Sequence, residues 1–287
     1  MIIIGSLLMV NNIVRYIKFI IKSKDVMTAG KKGHAFLRKL GLFPLTAFLA
    51  GYVSVVVFGS PDLVMAGILF GGSIYVSIIL TIMFSLVAVV KDRSMELSEV
   101  LIGVIEARDP NLNGHSLAVR DLTKLLYEYM PKPVRSEVNL VSLEYAALLH
   151  DLGKLGIPEA VLNKPGALND EEWEIVRQHP KIGAEILKKI TSFEAIRHWI
   201  EYHHERVDGK GYYRIPEKEI PLSARMIAVA DTYSAIRMKR AYKPEKTHEE
   251  AIEIMKGVAG TQLDAMLVTR FMMIPEDLIE KCIENRE

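Results

Sequence analysis

Two long uncharged stretches dominate the first third of the chain. Leu40 to Gly59 and Leu63 to Val90 contain no charged residue, and only residues 60–62 separate them. About 20 apolar residues suffice to cross a bilayer, and uncharged runs of this length are rare in soluble cores. The pattern therefore predicts a tight transmembrane helical hairpin within residues 36–91.

Basic residues flank this hairpin on both sides, whereas the turn inside it has none. They are Lys31, Lys32, Arg38 and Lys39 before the first stretch, and Lys91 and Arg93 after the second. Because Lys and Arg near membrane spans favour the cytoplasmic side, both ends of the hairpin should face the cytoplasm. We therefore expect a multi-pass protein of the inner (cytoplasmic) membrane, with everything after Lys91 in the cytoplasm.

Residues 2–21 are also apolar, but Asn11, Asn12, Arg15 and Lys18 interrupt them. No basic region precedes this stretch, which argues against a cleaved signal peptide. The pattern favours an amphipathic helix lying in the membrane interface within residues 1–35. A third span is the alternative, and it would leave the domain after Lys91 in the cytoplasm.

After Lys91 the apolar positions follow helical spacing, and no segment alternates with a period of two. The pattern predicts a connecting helix over 92–109 and an all-α domain over 110–287. The helices expected in that domain are His115–Tyr129, Val138–His150, Asp170–Gln178, Pro180–Lys189, Phe193–His203, Ser223–Lys239, Thr247–Lys256 and Thr261–Phe271. Asn169 or Asp170 should cap the third of them.

Composition narrows the classes of partner. The hydrophobic fraction is 50% and the mean hydropathy is +0.18, with the excess before Lys91. The net charge is only +1, which gives no reason to expect a long nucleic acid as a partner. Cys282 is the only cysteine, so an intrachain disulfide is excluded and a reducing compartment is indicated.

The placement of the histidines carries the chemical information. His34, His198 and His248 stand alone, and we interpret them as surface or core residues. The others fall in short polar motifs that also contain aspartate: His115, His150, Asp151, His179, His203, His204 and Asp231. Imidazole and carboxylate without thiolate suit iron, manganese, cobalt or zinc. Seven ligands are too many for one ion and fit two, an arrangement suited to in-line attack of water on phosphorus.

Three longer motifs resemble the HD-GYP family of HD-superfamily phosphodiesterases. They are HDLGKLGIP at 150–158, HHERVDGKGY at 203–212 and IPLSARMIAVADTYSA at 220–235. The resemblance covers about residues 110–285. It implies an all-helical HD-superfamily domain that hydrolyses a cyclic dinucleotide, most often cyclic di-GMP, to a linear dinucleotide or to GMP.

The resemblance also implies roles for single residues. One metal ion would be held by His115, His150, Asp151 and Asp231, and a second, sharing Asp151, by His179, His203 and His204. Iron or manganese is expected, with cobalt, zinc or nickel as alternatives. Asp151 and Lys154 would be catalytic, since Lys154 would orient the scissile phosphate or protonate the leaving oxygen. Lys154, Arg240 and Lys243 would contact substrate phosphates.

Several positions depart from the family pattern. The GYP signature is Gly211-Tyr212-Tyr213, without its proline. Asn111 replaces a glutamate that binds a third metal in some members, which favours two ions here. Further departures cluster where the nucleotide is expected, and they leave the substrate open: Ser234 in place of an aspartate, Arg237, Met238 and Ala241.

Three hypotheses follow for the activity. The first is a membrane-anchored cyclic di-GMP phosphodiesterase that uses a metal-activated water. The second keeps the metals and changes the substrate to another cyclic dinucleotide or a phosphorylated nucleotide. The third is a non-catalytic nucleotide receptor, which the retention of every metal ligand disfavours. The expected partners are the cyclic dinucleotide and the membrane with two spans, and a homodimer or a signalling partner stays open.

Overall fold

The computed structural model describes residues 1–22, 42–59, 62–109, 114–190, 193–238 and 245–284. The chain divides into two compact units, Met1–Ser94 and Met95–Glu287. Within the described ranges all regular structure is helical, apart from one isolated bridge between Ala259 and Leu263. The predicted all-α class is confirmed.

The apolar helices lie in the first unit. They are α1 (Ile2–Lys22), α2 (Leu42–Phe58) and the first part of α3 (Leu63–Glu106). By length and composition, Ile2–Ile20 and α3 could each cross a membrane, with mean hydropathies of 1.4 and 2.5. The helix within the first predicted span, α2, has 17 residues, and residues 40 and 41 lie outside the described ranges.

Inside the first unit, α1 packs along α2 and contacts α3 through polar groups. Met9 and Tyr52 are buried between α1 and α2, where a Cβ at Gly5 would lie 2.1 Å from the Tyr52 hydroxyl. Asn12 Nδ2 donates to the Ser73 carbonyl at 3.3 Å, and the Ser73 hydroxyl lies 2.6 Å from that of Tyr52. These contacts place Asn12 in the interior of the unit, fully buried.

The second unit is a bundle of short helices around one hydrophobic core. Its helices are α4 (His115–Glu128), α5 (Lys132–Glu137), α6 (Leu140–Leu148), α7 (Glu159–Leu162), α8 (Asp170–Val176), α9 (His179–Ile186), α10 (Glu194–Glu201), α11 (Leu222–Arg237), α12 (His248–Val258), α13 (Ala265–Phe271) and α14 (Glu276–Glu284). The central helix α4 packs against α6 and α11. Leu122, Leu143 and Val229 are fully buried where these three helices meet.

Side-chain caps explain where helices begin. Asn169 caps α8 in a reciprocal pair with Glu172, as one of the two predicted caps. By contrast, α13 begins at Ala265 rather than at Thr261, because the Asp264 carboxylate accepts hydrogen bonds from the amides of Met266 and Leu267. The sequence pattern also missed α14, a short amphipathic helix.

A close backbone contact holds two parts of the core together. The short 3-10 turn Leu152–Gly156 packs on α9, with Gly153 against its first turn. A Cβ on Gly153 would lie 1.7 Å from the carbonyl oxygen of His179 and 2.5 Å from the amide of Gly183. Only glycine permits this approach, which sets the turn after Asp151 directly against the helix that begins at His179.

Candidate metal centre

The structure brings all seven predicted metal ligands together at the ends of helices and in α11. His115 and His179 are the first residues of α4 and α9. The pair His150–Asp151 follows α6, the pair His203–His204 follows α10, and Asp231 lies within α11. Adjacent residues on a helix point about 100° apart, so positions beyond a helix end allow both members of a pair to face one centre.

Asp151 lies between two histidines. Its Oδ2 is 3.4 Å from His150 Nε2 and its Oδ1 is 3.3 Å from His179 Nε2. On the other side of the cluster, His115 Nε2 lies 3.2 Å from Asp231 Oδ1. Each oxygen of the Asp151 carboxylate thus faces a different imidazole, which places Asp151 between His150 and His179.

Three overlapping triplets have ligand atoms that lie within 4.8 Å of one another. They are His179–His203–His204, His115–His150–Asp151 and His150–His203–Asp231. The first triplet is the set of three histidines expected for one ion, the second contains three of the four groups expected for the other, and the third contains Asp231, the fourth group. The triplets share residues and therefore form one continuous cluster of groups that could hold metal.

Outward hydrogen bonds aim the imidazoles. In three histidines Nδ1 donates to the main-chain carbonyl three residues earlier, which leaves Nε2 facing the centre with its lone pair. These bonds join His150 to Ala147, His179 to Val176 and His203 to Ile200, at 2.7, 2.8 and 2.5 Å. This tautomer is the one that metal coordination through Nε2 requires.

A fourth histidine, His115, bonds through Nδ1 to a side chain instead, that of Ser234, which is one of the departures from the family pattern. Its hydroxyl lies 2.9 Å from His115 Nδ1 and also 3.2 Å from the Met238 sulfur. Arg237 pairs with Glu280 at 2.5 Å and donates to the Lys246 carbonyl. Ser234, Arg237 and Met238, three of the departures from the family pattern, thus contact other protein groups. Other positions of interest lie outside the described residues: Asn111, Arg240, Ala241 and Lys243.

An unsatisfied buried nitrogen tests whether the cluster fits a metal. His150 is 1% exposed, and its Nε2 has no hydrogen-bond partner among the described residues. A buried acceptor without a donor is costly, and a coordinated cation would satisfy it. The seven groups are all nitrogen and oxygen donors suited to a borderline or hard divalent ion, so the residues fit the expected metals.

Except at His150, burial and neighbouring charges favour the protonation states that metal binding requires. Burial lowers the pKa of His179 and of His204 to about 3, so both imidazoles are neutral at neutral pH. Burial opposes ionisation of Asp151, but the Lys154 ammonium and His150 together hold its pKa well below the usual range. Neutral imidazole and ionised carboxylate are the metal-binding forms. In His150 burial is outweighed by the adjacent Asp151, which raises its pKa.

Lys154 lies where the resemblance expects it, beside the metal ligands. Its Nζ is 2.8 Å from Asp151 Oδ2 and 3.8 Å from Asp109 Oδ2, with its side chain 18% exposed. It extends from the 3-10 turn that follows Asp151. A partly exposed ammonium at this place can reach both the centre and a ligand in solution.

A cavity of about 600 Å³ opens beside the cluster, with His203, His204 and Asp231 in its wall. The remaining wall contains Tyr212 of the GYP signature and charged residues to which the sequence assigned no role, among them Glu174, Arg177, Glu205, Arg206, Lys210 and Arg214. The Tyr212 ring lies 4.7 Å from that of His204. Several of these residues belong to the motif at 203–212. Because they follow His203 and His204 directly in the sequence, they could have been predicted to lie near the site.

Comparison with known proteins places the second unit in a family. A family model of the HD domain matches residues 99–267, more than half of the chain. A cyclic di-GMP phosphodiesterase of Thermotoga maritima is 36% identical over 193 residues, which are 66% of this chain and 52% of that protein. A cyclic di-GMP phosphodiesterase of Vibrio cholerae serotype O1 is 36% identical over 192 residues, 62% of this chain and 39% of that protein.

A third relative differs in its named substrate. The 3'3'-cGAMP-specific phosphodiesterase 3 of the same Vibrio cholerae is 34% identical over 179 residues, 61% of this chain and 38% of that protein. The chain thus spans about half or less of the length of these relatives. The match to the family model and the similarity to these phosphodiesterases confirm the resemblance drawn from the sequence, and this chain belongs to the HD domain family.

Proposed function

We propose that the chain is a membrane-anchored, metal-dependent phosphodiesterase that hydrolyses a cyclic dinucleotide, with cyclic di-GMP as the first candidate. The observation that carries the proposal is the convergence of seven candidate ligands, Asp151 among them, with the buried His150 Nε2 left without a hydrogen-bond partner among the described residues. The names of the relatives support the substrate class.

The ligands divide into two sets. His115, His150 and Asp231 would hold one ion, His179, His203 and His204 the other, and Asp151 would contact both. Iron or manganese suits these donors, and cobalt, zinc or nickel would also be accepted. When bound, such ions activate water for attack and neutralise charge on the phosphoryl group.

The protein's own groups position the substrate and move the proton. Water attacks phosphorus, the bond to the leaving 3' oxygen breaks, and that oxygen takes up a proton. Lys154 is the candidate donor and phosphate ligand, since its Nζ lies 2.8 Å from Asp151 Oδ2 at the edge of the centre. The predicted phosphate contacts of Arg240 and Lys243 lie outside the described residues and stay predictions.

The membrane anchor is part of the proposal. The apolar helices α2 and α3, with basic residues before and after them, support a hairpin whose two ends face the cytoplasm. The metal-binding unit would then act on a soluble cytoplasmic nucleotide at the membrane surface.

The test uses the full chain, purified anaerobically in detergent and loaded with manganese or ferrous iron. Cyclic di-GMP and 3'3'-cGAMP are each supplied, products are separated by chromatography, and bound metal is measured by elemental analysis. His150→Ala and Asp151→Ala remove two central ligands. His198→Ala is the matched control, because its side chain is 58% exposed and contacts Glu201 and the neighbouring Tyr202 rather than the cluster.

We expect turnover in the wild type and in His198→Ala, and its loss in both ligand variants. Faster hydrolysis of 3'3'-cGAMP would favour the substrate named for the third relative. About two bound ions without turnover on either dinucleotide would point to another phosphorylated nucleotide. Tight nucleotide binding without bound metal and without turnover would contradict the enzyme proposal. It would indicate a nucleotide receptor instead.

A further inference from the structure

Basic side chains line the cavity beside the metal cluster, and they differ in whether a partner already engages them. Arg206 makes a two-pronged contact with Asp208, at 2.9 and 2.7 Å. Arg177 pairs with Glu174 and lies 5.9 Å above the Tyr212 ring. The same cavity wall holds two more cations, Lys210 and Arg214.

Lys210 and Arg214 are cations of this wall whose charged groups have no hydrogen-bond or ion-pair partner among the described residues. Both are exposed, and neither side chain makes a hydrogen bond or an ion pair within the part of the chain that the structure describes. A guanidinium and an ammonium facing the same cavity form a natural site for an anionic group such as phosphate.

The backbone of Arg214 has an unusual conformation that neighbouring groups stabilise. Its φ is 58°, in the left-handed region that residues other than glycine rarely adopt. Glu205, which is 3% exposed, accepts hydrogen bonds from the amides on either side, Tyr213 at 2.6 Å and Ile215 at 3.1 Å. One buried carboxylate thus holds the strained residue from both neighbours, as is typical of functional sites.

Two further features fix this loop against Glu205. A Cβ on Gly211 would lie 2.6 Å from the Glu205 Cα, so only glycine allows the close approach. At Tyr213 the family signature has proline, which carries no amide hydrogen. The contact from Tyr213 to Glu205 is therefore available to this chain because of its departure from the signature.

We propose that Arg214, assisted by Lys210, binds the second phosphate of a cyclic dinucleotide, the one that is not hydrolysed. This inference rests on the proposed function. A cyclic dinucleotide carries two phosphodiester charges, and the metal cluster would take only one. The other charge must enter the same cavity and needs a cation there once its water is removed. Arg214 thereby selects ligands with two phosphates.

The variants are chosen to keep the loop folded. Arg214→Asn removes the charge, and asparagine tolerates the left-handed conformation. Arg214→Lys keeps the charge, and Lys210→Gln tests the second cation. Lys188→Gln is the control, because Lys188 is 60% exposed and pairs with Glu185 on a different part of the unit.

Two readouts use the full chain in detergent. Equilibrium dialysis gives the Kd of cyclic di-GMP, and steady-state kinetics with manganese give KM and kcat. Bis(p-nitrophenyl) phosphate serves as a diester with one phosphate. For Arg214→Asn we expect the Kd and KM for cyclic di-GMP to rise about tenfold, the effect of losing a charged hydrogen bond. Arg214→Lys should recover most of this loss, Lys210→Gln should give a smaller one, and Lys188→Gln should match the wild type.

The outcomes separate this inference from the proposed function. Hydrolysis by the wild type with an unchanged Kd and KM in Arg214→Asn overturns the inference alone. An equal loss on bis(p-nitrophenyl) phosphate also overturns it, because that ester has no second phosphate. If the wild type binds cyclic di-GMP without hydrolysing it, the proposed function fails and the Kd ratio still decides the inference. If it neither binds nor hydrolyses cyclic di-GMP or 3'3'-cGAMP, both are wrong.

Discussion

Hydrogen bonds at Nδ1 fix the orientation and the tautomer of the buried histidines. In His150, His179 and His203 the partner is a backbone carbonyl one turn earlier, which no side-chain substitution removes. In His115 the partner is the Ser234 hydroxyl, 2.9 Å away. Because such outer contacts fix the ring and its tautomer, Ser234 is the point at which metal affinity can be altered without touching a ligand.

Replacing Ser234 by alanine should weaken metal binding by about 10- to 100-fold, the usual cost of losing such a partner. Ser234→Asp should retain affinity, because a carboxylate can accept from the same His115 nitrogen. Metal titration followed by elemental analysis measures the effect. Ser136→Ala is the matched control, because that exposed hydroxyl donates to the nearby Pro133 carbonyl. Equal affinity in Ser234→Ala and Ser136→Ala would contradict the assigned contact.

The buried imidazoles also predict how stability changes with pH. The folded pKa of His179 and of His204 is about 3, below the ordinary 6.5, so between these values only the unfolded chain takes up the protons. Stability is then lost as pH falls from 6.5 towards 3, by about 2 kcal/mol per histidine at pH 5. His150 acts in the opposite direction, since its pKa is raised.

We therefore expect the metal-free chain to melt at a lower temperature at pH 5 than at pH 7, measured in detergent with a chelator. His179→Asn removes one of the two groups and should reduce this difference, since asparagine does not titrate in the range. A melting temperature that rises on acidification would show that these imidazoles are not neutral in the folded chain.

At the scale of elements, the site depends on how the turn Leu152–Gly156 lies against α9. Asp151 precedes the turn and His179 begins the helix, so their 3.3 Å contact requires the two elements to touch. Gly153 makes this contact with backbone atoms on both sides. The packing of backbone on backbone leaves no flexible side chain that could move aside.

Gly153→Ala should lower the free energy of unfolding by about 3 kcal/mol, because the added methyl forces turn and helix apart. It should also reduce metal content, since Asp151 and His179 separate. Gly257→Ala is the matched control: nothing lies within 4 Å of its Cβ position near the end of α12. That change should raise stability by about 0.5 kcal/mol. Denaturant unfolding and elemental analysis of both variants give the comparison, and equal stabilities would refute the packing argument.

At the scale of the whole molecule, contacts inside the first unit indicate whether α1 spans the membrane or lies in its interface. Asn12 is buried against Ser73, and Arg15 donates to Thr81 at 3.1 Å. These pairs run in the same order along α1 and α3, so the two helices run in the same direction where they meet, at residues 12–15 of α1 and 73–81 of α3. Polar groups buried between helices hold membrane bundles together. This packing favours the alternative in which α1 is a third span rather than an interfacial helix.

Cysteine labelling tests the topology. In a Cys282→Ala background, Ile3→Cys, Asp62→Cys and Glu96→Cys each place one thiol at an exposed position. With a membrane-impermeant maleimide on intact cells, Asp62→Cys and Ile3→Cys should react, and Glu96→Cys should react only after lysis. No reaction at Ile3→Cys would restore the interfacial helix, and reaction at Glu96→Cys would reverse the predicted orientation.

The sequence by itself determined the all-α class, most of the helices and the identity of the candidate ligands. These features depend on local patterns, namely helical spacing of apolar residues, caps such as Asn169, and histidine motifs in a specific order. The HD pair at His150 and Asp151 could be recognised because its neighbours along the chain belong to the same motif.

Only the tertiary structure decided what the departures from the pattern do. Ser234 was expected near the nucleotide, but it holds His115, which lies 119 positions earlier in the chain. The left-handed backbone of Arg214 and its clamp by Glu205 left no signal in the spacing of residues, because they depend on one φ angle and on contacts across a loop. Contacts between distant positions and single backbone angles arise only when the helices pack, and no local pattern encodes them.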